Sequence, residues 1–109
     1  MRWILPGALV AAVVLAPAAF AQGVPKLNVL PSCRAGAEAY PSGGGEKACL
    51  ENENQAHATL IKQWSEYSAG SRSRCVQMVK DISGTESYIE LLSCLEMARD
   101  AERLPKGED

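Results

Sequence analysis

Residues 71–101, SRSRCVQMVKDISGTESYIELLSCLEMARDA, have the pattern of two short helices that fold back on each other. Apolar residues recur at intervals of three and four on both sides of Gly84, and the Ser-Gly-Thr at 83–85 is typical of a turn. Each predicted helix contains one cysteine. Cys75 and Cys94 are nearly equidistant from the turn, so an antiparallel hairpin brings them level. We therefore expect this hairpin to be the centre of the fold.

Both helices of the hairpin have sequence signals at their starts. Ser71 or Ser73 can accept a backbone N–H and so cap the first helix, which we expect to end near Ile82. The segment SYIE at 87–90 is a capping box, in which the serine hydroxyl and the glutamate carboxylate each satisfy one N–H of the first turn. The residues predicted to face inward are Cys75, Val76, Met78, Val79 and Ile82 on the first helix and Tyr88, Leu91, Leu92, Cys94, Leu95 and Ala98 on the second.

A longer helix is predicted over Glu46–Tyr67, before the hairpin. Its acidic residues come early, where the positive end of the helix dipole favours them. Gly70 follows its end and is placed to adopt the left-handed conformation of a C-terminal cap. Its inward face is predicted to consist of Leu50, His57, Leu60, Ile61, Trp64 and Tyr67.

The chain before this helix has little regular pattern. Gln22–Ser32 is an extended lead-in, and Cys33–Ala39 has the composition for a turn or two of helix. Ser42–Gly45 is a flexible linker, because its glycines disfavour regular structure and it lacks the Gly-Lys-Ser/Thr ending of a phosphate loop. The predicted fold is all-α, with three helices running up, down and up. An irregular N-terminal segment at 22–45 precedes a helical domain at 46–103 and a disordered tail at 104–109.

The first 21 residues have the features of a secretory signal peptide. One basic residue precedes an almost wholly apolar run, Ile4–Ala19, and Ala-Phe-Ala at 19–21 places small residues where a signal peptidase reads them. The run is short for a membrane span, which needs about 20 apolar residues. We expect cleavage between Ala21 and Gln22, a periplasmic or secreted location, and no membrane span after cleavage.

The charge of the mature chain argues against two classes of partner. Removal of Arg2 with the leader leaves 10 basic and 13 acidic side chains, a net charge of −3. Nucleic acid and anionic membrane surfaces both require clustered lysine and arginine, so neither is expected as a partner. The 88 residues of Gln22–Asp109 allow one small domain.

All four cysteines of the chain lie in its mature part, and an even count in a small exported chain predicts two disulfides. Composition leaves three pairings open. In the up-down-up packing Cys49 lies about fourteen residues, or about 20 Å, from the level of Cys75 and Cys94. Since the Cα atoms of a disulfide lie within about 7 Å, we predict the pairs Cys33–Cys49 and Cys75–Cys94.

No residue is predicted to be catalytic or to hold a metal or cofactor. Glu53 and His57 share a helical face and could share a metal, but two ligands are too few. A partly buried histidine bonded to Glu53 is the structural alternative. The cysteines form no Cys-x-x-Cys, which removes zinc-knuckle, thioredoxin-type and haem-attachment interpretations. No small-molecule ligand is evident, and we expect a protein that is not an enzyme.

Residues near the turn between the long helix and the hairpin form the candidate partner surface. An aromatic and arginine cluster could anchor an interface there, and its members are Trp64, Tyr67, Arg72 and Arg74. The observation that tests this hypothesis is whether Trp64 and Tyr67 are exposed together; if both are buried, the site is only part of the core. The predicted function is a small exported binding protein of the cell envelope that meets an envelope protein partner.

The chain also resembles a group of small exported cysteine-containing proteins of unknown function from alphaproteobacteria. The resemblance spans Cys33–Ala101 and rests on the cysteine arrangement and on the SYIELLSCLEM run at 87–97. It implies no activity. Cys49–Tyr67 is more faintly similar to the long helix of lysozyme-inhibitor-like exported helical proteins. Inhibition of a cell-wall lytic enzyme is therefore one alternative function, and an accessory subunit of an envelope complex is another.

Overall fold

The computed structural model describes Gly7, residues 23–82 and residues 84–105. Over these residues the protein has no strand, which confirms the all-α prediction. The helices are α1 (Leu30–Ala39), α2 (Gly45–Gln63), a 3₁₀ turn (Trp64–Glu66), α3 (Ala69–Lys80) and α4 (Tyr88–Glu102). α3 and α4 pack together as a hairpin, α2 packs against α4, and α1 packs on α2.

Two predicted segments lie wholly or partly outside the described residues. The predicted signal peptide, apart from Gly7, and the last four residues of the predicted tail lie beyond the described ranges. Among the helices that are described, none combines the length and apolar character needed to cross a membrane.

Both predicted disulfides are present. Cys33 on α1 is bonded to Cys49 on α2, with their Cα atoms 5.5 Å apart, and Cys75 on α3 is bonded to Cys94 on α4, with 5.7 Å between Cα atoms. Each bond links two helices that pack side by side. Each stabilises the fold by about 3 kcal/mol on the chain-entropy model, because it closes a loop in the unfolded chain. The bonds are typical of a protein that folds in an oxidising, extracytoplasmic compartment.

The N-terminal segment is more regular than the sequence predicts. A ten-residue helix, α1, replaces the turn or two expected at Cys33–Ala39. It begins earlier because Pro31 in its first turn is preorganised for the helix and has no N–H to lose. The chain then turns back through Gly44, whose φ is +90°, and a Cβ there would lie only 2.9 Å from the Cβ of Ala48. Both the backbone conformation and the space therefore require glycine.

The residues preceding α1, and the first turn of α1 itself, are held against the start of α4. Leu27 is buried in the core, and its N–H donates to Tyr88 Oη at 2.9 Å. The Asn28 N–H donates to Glu86 Oε2 at 2.6 Å, and Ser32 Oγ donates to the Glu86 carbonyl at 3.1 Å. Residues 23–29 of the predicted lead-in are irregular, whereas residues 30–32 lie in α1, and the segment has specific partners within its own chain.

The junction between α2 and α3 differs from the prediction. Tyr67 has an extended backbone (φ −92°, ψ 142°) and separates the two helices. Ser68, rather than Ser71 or Ser73, caps α3, because its Oγ accepts the Ser71 N–H at 3.2 Å. The expectation that Gly70 caps the preceding helix is wrong, since Gly70 lies in the first turn of α3.

Three side chains predicted to face inward are exposed instead: Ile61, Met78 and Ile82. The reason on α3 is that this helix packs closely only on α4. Its buried stripe is therefore narrow, with Cys75 and Val79 four residues apart, and Met78 falls outside it. Ile82 lies beyond the end of α3. The buried apolar core consists of Leu27, Ala56, Leu60, Tyr67, Cys75, Val79, Tyr88, Leu91 and Leu95.

Candidate functional site

Glu53 and His57 do not form the metal pair that their spacing allows. Glu53 is 3% exposed, and Oε2 accepts the Tyr88 N–H at 2.6 Å, while Oε1 accepts the Ser87 hydroxyl. His57 is partly buried, as predicted, but it stacks on Tyr88 with the ring centroids 4.0 Å apart and an interplanar angle of 7°. Both side chains are thus occupied in holding α2 against the start of α4.

This arrangement completes the predicted capping box in a different way. The Ser87 hydroxyl accepts the Glu90 N–H at 3.3 Å, as the sequence predicts for a cap. The carboxylate that completes the cap comes from Glu53 rather than Glu90, and it lies 34 residues away in sequence from Ser87. A carboxylate is favoured at a helix N-terminus by the unpaired N–H groups and the helix dipole.

The candidate partner surface is brought together only in part. Trp64 begins the 3₁₀ turn after α2, and Arg72 lies in the first turns of α3. The Arg72 guanidinium carbon lies 5.7 Å from the centroid of the Trp64 ring, within the range of a cation–π contact. Both side chains are half-buried, so each retains an accessible part.

Tyr67 does not join this surface. It is only 3% exposed, and its hydroxyl donates to Gln63 Oε1 at 2.7 Å. Arg99 covers its ring, with the guanidinium carbon 5.2 Å from the centroid. Burial raises the pKa of the Tyr67 phenol above its ordinary value, an effect that the positive charge of Arg99 partly opposes. Trp64 and Tyr67 are therefore not exposed together, and Tyr67 belongs to the core.

Arg74 remains on the surface beside the α3 cap. Its Nη2 lies 3.5 Å from Ser71 Oγ, and the same Oγ donates to Glu102 Oε1 at 3.0 Å. Ser68 Oγ lies 3.0 Å from the same Glu102 oxygen. The acidic end of α4 thus lies at Ser68 and Ser71, while Arg72 and Arg74 follow in the next turn.

An open groove of about 560 Å³ runs beside the Trp64–Arg72 contact. Two of its lining residues, Pro25 and Val76, carry no signal in the sequence that would assign them to a site. Pro25 reaches the groove because the lead-in is held at the start of α4, where Leu27 bonds Tyr88 and Asn28 bonds Glu86. We call this feature the Trp64–Arg72 groove; its walls include Pro25, Trp64, Ala69, Arg72, Val76 and Gln77.

The charges on the groove contrast with those on the rest of the chain. α3 carries three cations, Arg72, Arg74 and Lys80, and no carboxylate. α4 carries four carboxylates and one arginine. Within the described residues the Arg72 side chain forms no ion pair, and its buried Nε has no hydrogen-bond partner. The groove is therefore a positively charged feature on a protein whose net charge is negative.

Across the described ranges, no group of three or more histidine, cysteine, aspartate or glutamate side chains is arranged to hold a metal ion. Comparisons of the chain with family models, with curated proteins and with solved structures each found no match. The resemblance to small exported alphaproteobacterial proteins, which rests on the cysteine arrangement and the SYIELLSCLEM run, stays a prediction.

Proposed function

We propose that the protein is a small, non-enzymatic interaction protein of the cell envelope, exported to the periplasm or secreted. It meets a protein partner through the Trp64–Arg72 groove. The observation that carries the proposal is the contact of Arg72 with Trp64 at an open groove, with no carboxylate of the described chain paired with that arginine. Tryptophan and arginine are the residue types most often found at the centres of binding interfaces.

The scaffold around the groove supports the same function. Trp64 lies where α2 passes into the 3₁₀ turn, and Arg72 lies on α3, which the Cys75–Cys94 bond ties to α4. Two disulfides restrict the relative motion of the helices, so the groove is preorganised. A preorganised surface loses less conformational entropy on binding than a flexible one.

Site-specific photo-crosslinking in the exporting cell tests the proposal. A photoreactive residue at Gln77, an exposed residue of the groove, is expected to give a discrete adduct with an envelope protein. The matched control is the same photoreactive residue at Gln55, an exposed glutamine of α2 that does not line the groove. Identical adducts from both positions would contradict the proposal.

Dependence on the arginine distinguishes specific contact from random capture. We expect Arg72→Gln to remove most of the Gln77 adduct, because it deletes the charge and the contact with Trp64. Arg103→Gln removes an exposed arginine at the end of α4 and should leave the adduct unchanged. Circular dichroism of both variants shows whether they remain folded.

The two alternative functions make different demands. Inhibition of a cell-wall lytic enzyme is tested by adding the purified protein to a lysozyme assay, where slowed lysis that is reversed by Arg72→Gln would favour it. An accessory subunit whose N-terminal segment orders on contact is less favoured, because Leu27 and Asn28 already have partners on Tyr88 and Glu86.

A further inference from the structure

The Trp64–Arg72 groove has an electrostatic requirement that the described chain does not meet. Arg72 has no carboxylate partner there, and its Nε is shielded from water without a hydrogen bond. A guanidinium prefers a carboxylate or phosphate oxygen, which it can bind through two parallel N–H groups. An occupant that supplies an anionic oxygen to the outer edge of Arg72 therefore fits the groove.

The walls of the groove favour an occupant that is more than a simple anion. Pro25, Trp64, Ala69 and Val76 present apolar atoms around the single arginine. An inorganic ion would leave these walls in contact with water, whereas an apolar side chain would cover them and gain the free energy of burial. The volume of about 560 Å³ lies within the range of sites that hold organic ligands.

The surface beyond the groove extends in one direction along α3. Val76 and Gln77 line both the Trp64–Arg72 groove and a shallower depression that includes Arg74 and Lys80. The cations of α3 thus follow one another along a continuous surface, with Asp81 as the one carboxylate on the lining of that depression. Such a surface suits an extended ligand with several negative charges.

We infer that the occupant is an acidic segment of a partner protein, with carboxylates and apolar side chains alternating along an extended peptide. One carboxylate pairs with Arg72, an adjacent apolar side chain packs between Pro25 and Val76, and a further carboxylate lies near Arg74 and Lys80. This inference rests on the proposed function and specifies the chemistry of the partner at the same groove.

Fluorescence anisotropy with labelled synthetic peptides tests the inference on protein purified as the cell exports it. The probe is a six-residue peptide, blocked at both ends, in which glutamate alternates with leucine. A matched peptide has glutamine in place of glutamate. We expect the acidic peptide to bind at least about tenfold more tightly at low salt, and to weaken as salt screens the charges.

Variants separate the two parts of the recognition. Arg72→Gln should weaken binding of the acidic peptide at least about tenfold. Arg72→Lys should also weaken its binding, because lysine lacks the planar pair of donors. Arg103→Gln should change its affinity less than twofold. Val76→Ser should weaken binding of the glutamate–leucine peptide. It should not weaken binding of a peptide of glutamate and glycine, which has no apolar side chain to pack on Val76.

Several results would overturn the inference. Equal binding of the acidic and glutamine peptides would exclude charge recognition. Arg72-dependent binding of phosphatidylglycerol vesicles without binding of the acidic peptide would assign the surface to lipid instead. If the acidic peptide does not bind while the Gln77 adduct still forms, the groove is used by a partner of other chemistry. If the adduct does not form either, the proposed function is also wrong.

Discussion

The Glu53 carboxylate, buried on α2, accepts the backbone N–H of Tyr88 at 2.6 Å, at the first residue of α4. Its other oxygen accepts the Ser87 hydroxyl, and the Ile89 N–H lies 3.4 Å from Oε2. Glu53 therefore acts as a second cap for α4, supplied by a different helix. It fixes the register of α2 on α4, and through it the position of Trp64 at the end of α2.

Replacing Glu53 should destabilise the protein more than replacing any exposed glutamate. Glu53→Ala leaves the Ser87 hydroxyl and the Tyr88 N–H buried without an acceptor, and we expect a loss of about 3 kcal/mol in the free energy of unfolding. Glu53→Gln should lose less, because its amide can turn its oxygen towards the Tyr88 N–H. Denaturant unfolding monitored by circular dichroism measures both changes.

The matched control for this prediction is Glu51→Ala, on the same helix at an exposed position. Its effect should stay within about 0.5 kcal/mol. Equal unfolding midpoints for Glu53→Ala and Glu51→Ala would show that the cap contributes nothing to stability.

The Tyr88 hydroxyl is predicted to hold the N-terminal lead-in. Tyr88→Phe keeps the ring that stacks on His57 but deletes the acceptor for the Leu27 N–H, leaving a buried donor unpaired. We expect a loss of about 1–2 kcal/mol and faster hydrogen exchange at the Leu27 and Asn28 amides. Unchanged exchange at these two amides would mean that the hydroxyl does not secure the lead-in.

Tyr67 gives a pH-dependent contribution at high pH. Its pKa is raised above 10.0 in the folded protein, chiefly because burial disfavours the phenolate. The folded state therefore binds the phenolic proton more tightly than the unfolded state does. The associated stability is fully present below the unfolded pKa and is lost as the pH rises through the folded one.

Alkaline difference titration of the phenolate absorbance measures this effect. Subtraction of the Tyr67→Phe curve from that of the wild type isolates one tyrosine, and its midpoint should lie above 10.0. The same subtraction in denaturant supplies the unfolded reference. A midpoint in the folded protein at or below this reference would refute the prediction.

The two disulfides should have separable effects. Cys33→Ala with Cys49→Ala releases α1 from α2, so we expect a loss of about 3 kcal/mol and faster exchange in α1 and the lead-in. Cys75→Ala with Cys94→Ala should instead loosen α3, which packs closely only on α4. Hydrogen exchange measured by mass spectrometry distinguishes the two patterns. The same pattern from both double variants would contradict the prediction that the two disulfides have separable effects.

The features set by local pattern were predictable from the sequence. The hairpin about Gly84, the Ser87 cap and the level of Cys75 with Cys94 depend on helix period, turn chemistry and rise per residue, and all are present in the structure. The pairing of Cys33 with Cys49 followed once Cys49 was too far down α2 to reach the hairpin.

The features set by contacts between distant segments were not predictable. The spacing of Glu53 marks it as a helix residue near His57. Nothing in the sequence indicates that its carboxylate accepts a hydrogen bond from the Ser87 hydroxyl on the other side of the bundle. Pro25 joins the groove through the contacts that hold the lead-in, among them the hydrogen bond from Leu27 to Tyr88. The helical spacing alone places Met78 on the inward face, but α3 has one close neighbour, α4, and its buried stripe is narrower than the spacing predicts.

The connectivity of the two disulfides affects how the chain can form them. Each cysteine is bonded to its nearest neighbour in sequence, first to second and third to fourth. A chain that enters an oxidising compartment N-terminus first can therefore oxidise its cysteines in order of emergence and reach the native connectivity without reshuffling. We expect the yield of oxidised protein to be the same in cells with and without a disulfide isomerase.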